Sequence, residues 1–125
     1  MDITLYGIPN CDTVKKARAW LADRNVDYRF HDFKKAGVTR ELIAGWVGAA
    51  SWDALVNRRG TTWRGLPEAR RADIVDADSA IALMAESPSV IKRPVLDAAG
   101  LVHVGFTDEM YAQIFSGVLR APQRS

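Results

Sequence analysis

The chain is predicted to be a single α/β domain built on a four-stranded mixed sheet, and three observations carry that expectation. The first 33 residues read strand, helix, strand. The middle of the chain carries helical spacing and no strand signal. The last third reads as two strands joined by a tight turn, followed by a helix.

The segment Ile3-Thr4-Leu5-Tyr6 is β-prone and stops at Gly7-Ile8-Pro9-Asn10. Asn10 is a good helix cap, and Val14, Ala17 and Leu21 recur at helical spacing until Asp23-Arg24-Asn25. Tyr28 to Phe33 then alternates as a strand does. Two strands around one helix make a βαβ unit, whose strands are parallel.

A helical insert follows over about 39–87. Thr39 caps a helix carrying Leu42, Ile43, Trp46 and Val47, and Ser51 caps a short one carrying Trp52, Leu55 and Val56. Asn57 to Thr62 reads as a loop in which Gly60 permits a tight turn. Asp78 starts a third helix with Ile81, Leu83 and Met84, ended by Ser87-Pro88. Trp46, Trp52 and Trp63 are expected to pack this insert onto the sheet, and Lys34-Lys35 to lie in a solvated loop.

Pro94 to Asp97, a turn at Ala99-Gly100, and Leu101 to Val104 form a β-hairpin. Thr107 caps the last helix, with Asp108 and Glu109 in its first turn, where the helix dipole favours carboxylates. Met110, Ile114, Phe115 and Val118 form its apolar stripe. A parallel pair and an antiparallel hairpin sharing one sheet, with helices against it, is the thioredoxin-like arrangement.

Length and composition agree with one domain spanning residues 1–125. At 125 residues a chain buries roughly two-thirds of its unfolded surface, enough for a core without disulfides or metal. Hydrophobic residues make up 48% and charged residues 26%, which is ordinary globular chemistry. No apolar run reaches the roughly 20 residues of a membrane span, and the start lacks a signal-peptide pattern, so a cytoplasmic location is expected. A net charge of +2 gives no case for nucleic-acid binding. Twelve of the 17 cations are arginine, which suits bidentate recognition of carboxylates and oxyanions and equally suits the codon bias of a GC-rich genome.

Cys11 is the single cysteine, so no internal disulfide and no cysteine-based zinc site is available. With His31 and His103 as the only histidines, no metal site is expected. Cys11 lies at the junction of the first strand and first helix. If Asn10 is the cap, Cys11 is the first helical residue and its sulfur meets unpaired N–H groups at the positive end of the helix. Such positions pull a thiol below its usual pKa of about 8.5. Lys15 and Arg18 fall on the same side of the helix and are expected to help. A core cysteine would sit on the apolar stripe of Val14, Ala17 and Leu21, and Cys11 does not.

The run from Gly7 to Arg18 resembles the active-site segment of the arsenate-reductase-like (ArsC) family, which includes Spx-type regulators. The resemblance continues through Phe30 to Lys35, Asn57 to Trp63, Ile91-Lys92-Arg93-Pro94-Val95 and Gly105 to Glu109, and is nearest to the YffB branch. It implies a thioredoxin-like fold with a helical insert, a redox-active Cys11, and a cis-proline at Pro94 presenting Arg93 towards the sulfur. Arsenate reductases hold their oxyanion with three arginines. Two have counterparts here, one in Arg58 or Arg59 and one in Arg93. Val104-Gly105-Phe106-Thr107 stands where the third belongs, so arsenate reduction is not expected.

What the resemblance implies instead is a glutathione-dependent thiol reductase. Cys11, Lys15 and Arg18 are the expected catalytic residues. Asn10, Arg58, Arg59, Arg93 and Pro94 are the expected substrate-binding set. Glutathione is the co-substrate and an oxidised thiol or small molecule the partner, with neither nucleic acid nor membrane involved. The alternative is a Spx-like regulator touching RNA polymerase. Spx-type switches use a Cys-x-x-Cys pair, and this chain reads Cys11-Asp12-Thr13-Val14.

Overall fold

Strand β1 (Ile3–Gly7) lies at the centre of the sheet seen in a computed structural model of the chain, which describes residues 2–116. It pairs in parallel with β2 (Arg29–Asp32), setting Leu5 opposite Phe30. On its other side β3 (Val95–Ala98) runs antiparallel, setting Leu5 opposite Leu96. The edge strand β4 (Leu101–Val104) pairs antiparallel with β3, so the order is β2-β1-β3-β4. This is the mixed four-stranded sheet and the thioredoxin-like arrangement that the element order predicts.

The two-residue period of the strands splits the core between two faces. Ile3, Leu5, Leu96 and Ala98 point to one face, where α1 (Asp12–Asp23) and α8 (Asp108–Ile114) supply Ala17, Trp20, Leu21 and Tyr111, with Phe115 just beyond. Tyr6 and Val95 point to the other face. There α3 (Arg40–Ala49), α4 (Trp52–Leu55) and α7 (Ala77–Glu86) bring Ile43, Trp46, Leu55, Leu83 and Met84. Full burial of one such side chain stabilises the fold by about 1.5–3 kcal/mol. Trp46 meets the Tyr6 ring edge-on at 5.0 Å, and Trp52 and Trp63 pack half-buried against the same cluster. Trp46 therefore joins the insert to the sheet, as expected, while Trp52 and Trp63 pack on the same cluster.

Local signals set most boundaries. Thr39, Ser51 and Thr107 each cap the helix assigned to them, accepting from the N–H of Leu42, Asp53 and Met110. Ala99 (φ 54°) and Gly100 (φ 88°) make the hairpin turn in the left-handed region that two-residue hairpin loops demand. Five details differ. The strand expected to reach Phe33 stops at Asp32, whose carboxylate accepts from the Lys34 N–H at 2.8 Å and starts α2 (Phe33–Ala36). Lys34-Lys35 thus sits on a helical turn. The stretch after Gly60 winds into α5 (Thr61–Arg64), and α6 (Glu68–Ala72) follows where no helix is expected. The cap of α7 is Asp76, not Asp78. Asp76 and Ser79 bond reciprocally, a pairing that Asp78 has no partner for.

The fifth is Gly60, whose φ of −76° is open to any residue. The turn here, closed by the Gly60 N–H on the Asn57 carbonyl at 3.3 Å, therefore does not need a glycine, and a β-carbon would meet only the end of the Asn57 side chain at 2.9 Å. Val118 of the predicted last stripe lies outside the described residues.

Candidate active site

Cys11 is the N-cap of α1, not its first residue, with extended backbone at φ −119° and ψ 126°. Asn10 lies one position earlier in the turn and is exposed. The Cys11 carbonyl accepts the first helical bond, from the Lys15 N–H at 2.9 Å. Its thiol stands where a serine or aspartate oxygen usually caps, beside the free N–H groups of the first turn. Gly7 sets this geometry from below. A β-carbon on Gly7 would come within 2.8 Å of a Val14 methyl, and Val14 is fully buried, so glycine lets the first turn of α1 sit down on the end of β1.

Cys11 is half-buried. Partial burial pushes its thiol up. The Val14 N–H, the Arg93 guanidinium and the Thr13 N–H more than offset that, and the thiol lies below its ordinary value. The cation that acts on the sulfur therefore comes from the loop before β3, across from α1.

Arg93 reaches this place because of what precedes β3. Val56 and Ile91 form an isolated antiparallel bridge, flanked by bonds from the Lys92 N–H to the Leu55 carbonyl (2.7 Å) and from the Asn57 N–H to the Val90 carbonyl (2.8 Å). The Arg93–Pro94 peptide is cis. The Pro94 carbonyl accepts from the Gly105 N–H at 2.8 Å, which ties this loop to the segment leading into α8. Arg93 Nη1 donates to the Ser89 carbonyl at 3.0 Å, while its Nε is buried with no partner among the described residues. One edge of the guanidinium is fixed and a buried donor remains unused.

A cavity of about 470 Å³ opens beside the sulfur, within the range of small-molecule sites. Cys11, Thr13, Asn57, Lys92, Arg93 and Gly105-Phe106-Thr107 line it. Asn57 and Lys92, outside the expected site set but each adjoining one of its arginines in sequence, also belong to this wall.

The other expected site residues lie elsewhere. Arg18 donates to the Tyr28 hydroxyl at 3.0 Å and stacks over the Phe30 ring at 4.1 Å, so its charge is committed to the α1–β2 side. Lys15 is exposed on α1, and the charge acting on the sulfur is that of Arg93. Arg58 pairs with Asp53 at 2.7 Å and lies 5.8 and 5.6 Å from the Trp52 and Trp63 rings. Arg59 is exposed, and its carbonyl holds the Arg64 guanidinium. Both arginines line an adjoining depression that shares only Asn57 and Lys92 with the Cys11 cavity. Pro94 is buried at the start of β3.

His31 and His103 remain on their strands. His31 Nε2 lies 2.7 Å from the Gly37 carbonyl and its ring packs against Tyr6 at 4.9 Å. Among the described residues, no group of three acidic, His or Cys side chains is placed to hold a metal, and no helix is long and apolar enough to cross a membrane.

Comparison with known proteins agrees with this fold. An uncharacterised protein of Haemophilus influenzae is 41% identical over 114 residues, covering 91% of this chain and 99% of that one. The solved structure of a protein named YffB superimposes with a TM-score of 0.84 at 49% identity, covering 89% of this chain and 96% of that one. The global transcriptional regulator Spx of Streptococcus pyogenes serotype M3 is 24% identical over 113 residues, 86% of this chain and 80% of that one. The ArsC family pattern matches residues 6–114, which takes in the end of β1, the Cys11 cap, the insert, the Arg93 loop and α8. With its sequence and fold in agreement over nearly the whole described chain, the protein belongs to the ArsC family.

Proposed function

We propose that the protein is a glutathione-dependent thiol reductase acting through Cys11. The observation that carries this reading is the pairing of one accessible, low-pKa thiol with the Arg93 guanidinium at the rim of a small-molecule-sized cavity. Membership in a family of thiol-based reductases supports the same chemistry.

The Cys11 thiolate attacks the glutathione sulfur of a mixed disulfide between glutathione and a substrate thiol. A Cys11–glutathione disulfide forms and the substrate leaves as a thiolate that takes a proton from water. A second glutathione thiolate then attacks the glutathione sulfur of that adduct. Glutathione disulfide forms and the Cys11 thiolate returns. Cys11 is the only cysteine of the chain, so resolution by an outside thiol is what this route requires. Glutathione carries two carboxylates, and the Arg93 guanidinium in the cavity wall is a cation suited to one of them. Such chemistry belongs to a reducing compartment, consistent with the cytoplasm.

The reading does not extend to arsenate. Gly105-Phe106-Thr107 supplies no third guanidinium, and Phe106 is packed edge-on against Tyr111 at 4.6 Å. The second reading, a Spx-like contact with RNA polymerase, is favoured by the Streptococcus relative alone and has no disulfide switch to work with.

Incubation with glutathione disulfide followed by intact mass measurement tests the proposal. One glutathione should add to the wild type and none to Cys11→Ser, and reduced glutathione should remove it. Absence of the adduct at accessible, reduced Cys11 would defeat the reading.

A further inference from the structure

We propose that Lys92 is a specificity residue that holds an anionic group of the sulfur-bearing substrate in the Cys11 cavity. The inference rests on the reading of Cys11 as a nucleophile towards disulfides, and goes beyond it by naming the charge that the leaving or retained half must carry.

Lys92 and Arg93 are neighbours in sequence but serve different places in the cavity wall. Arg93 has one edge tied to the Ser89 carbonyl and faces the sulfur. The Lys92 side chain lies instead over Gly105, on the opposite bank. A β-carbon built on Gly105 would stand 3.4 Å from Lys92 Cε and 3.9 Å from its Nζ. Gly105 has φ +87°, a conformation that side-chain-bearing residues seldom adopt. The glycine that the turn requires thus leaves a bare floor, and the lysine stem lies on it.

The two banks are held together by the bond from the Gly105 N–H to the Pro94 carbonyl. Among the described residues the Lys92 ammonium at this wall has no hydrogen-bond partner. Lys92 forms none of the ion pairs found among the described residues, where Asp2, Asp53 and Glu86 are taken by Arg29, Arg58 and Arg70.

A lysine with no carboxylate partner among the described residues, beside an arginine anchored at Ser89, makes a wall with two positive groups and no acidic residue among those lining it. A disulfide whose halves bear carboxylates meets complementary charge there. A neutral or cationic disulfide does not. The ammonium acts as a hydrated point charge, so it selects for charge more than for shape.

The experiment measures second-order rates of Cys11 with two disulfides of different charge, a dianionic bis-nitrobenzoate disulfide and neutral dithiodipyridine. Lys92→Gln should slow the dianionic reagent about five- to tenfold, less than a buried charged hydrogen bond would give because Lys92 is exposed. It should leave the neutral reagent within twofold. Lys92→Arg should restore the dianionic rate, and 0.5 M salt should erode the wild-type preference. Equal rates for wild type and Lys92→Gln with the dianionic reagent would overturn the proposal. So would an equal loss with both reagents, which marks a structural role. If wild-type Cys11 reacts with neither reagent, the nucleophile reading itself fails and the proposal with it.

Discussion

The Arg93 guanidinium acts on the Cys11 sulfur while its own Nη1 is fastened to the Ser89 carbonyl at 3.0 Å. The charge is therefore placed by a loop anchored before β3 and does not depend on a flexible side chain finding the thiol. Activation of the cysteine comes from two segments far apart in sequence, the first turn of α1 and the residue before Pro94.

Cys11 should ionise below the value of an ordinary thiol, about 8.5. Its alkylation by iodoacetamide should rise with pH around a midpoint below that value, because the thiolate is the reacting form. Arg93→Ala should move the midpoint upward, since burial then acts against fewer opposing groups. Lys15→Ala and Arg18→Ala should leave it nearly unchanged. A midpoint at or above about 8.5 in the wild type would show that the cap and Arg93 supply no activation.

Arg93 should matter for its fork as well as its charge. Arg93→Lys cannot give two parallel hydrogen bonds to a carboxylate and should weaken glutathionylation nearly as much as Arg93→Ala. Loss of a charged hydrogen bond, about 1.5–3 kcal/mol, corresponds to roughly tenfold or more in rate. Rates taken beside melting curves check this. A change under threefold at unchanged melting temperature would remove Arg93 from ligand binding.

Arsenate should be turned over poorly with glutathione and glutaredoxin as reductants. Arg58 is held by Asp53 and lines the adjoining depression, and no guanidinium stands at Gly105-Phe106-Thr107. Sustained NADPH oxidation in the coupled assay, dependent on Cys11, would contradict this.

Gly7→Ala should destabilise the fold and disturb the site together. The added methyl meets a Val14 methyl at 2.8 Å in a fully buried contact, an overpacking that costs about 1–3 kcal/mol. Denaturant unfolding should show a lower midpoint. The first turn of α1 must lift to relieve the clash, so Cys11 reactivity should fall even where the protein remains folded.

Element order was legible in the chain because it is written in local chemistry. Alternation in Ile3 to Tyr6, caps at Thr39, Ser51 and Thr107, and the Ala99-Gly100 turn each act within a few residues, so the βαβ and ββα units could be read from sequence spacing alone. The motif around Cys11 likewise placed the thiol at a helix start. The resemblance pointed Arg93 at it, but local helical spacing alone could not decide which cation reaches it. Helical geometry puts Lys15 and Arg18 on the side of Cys11, but a guanidinium on a long stem goes where an acceptor and an aromatic face are nearest, and for Arg18 these are Tyr28 and Phe30 on the neighbouring strand. In the same way Asp53 and two tryptophan rings claim Arg58. Lys92 enters the cavity only because the hairpin returns Gly105 beneath it, after the intervening β3 and β4 have paired. Backbone periodicity is a local property and fixes the elements. The partners of long charged side chains depend on which surfaces tertiary packing brings within a few ångströms, and that was decided by the fold.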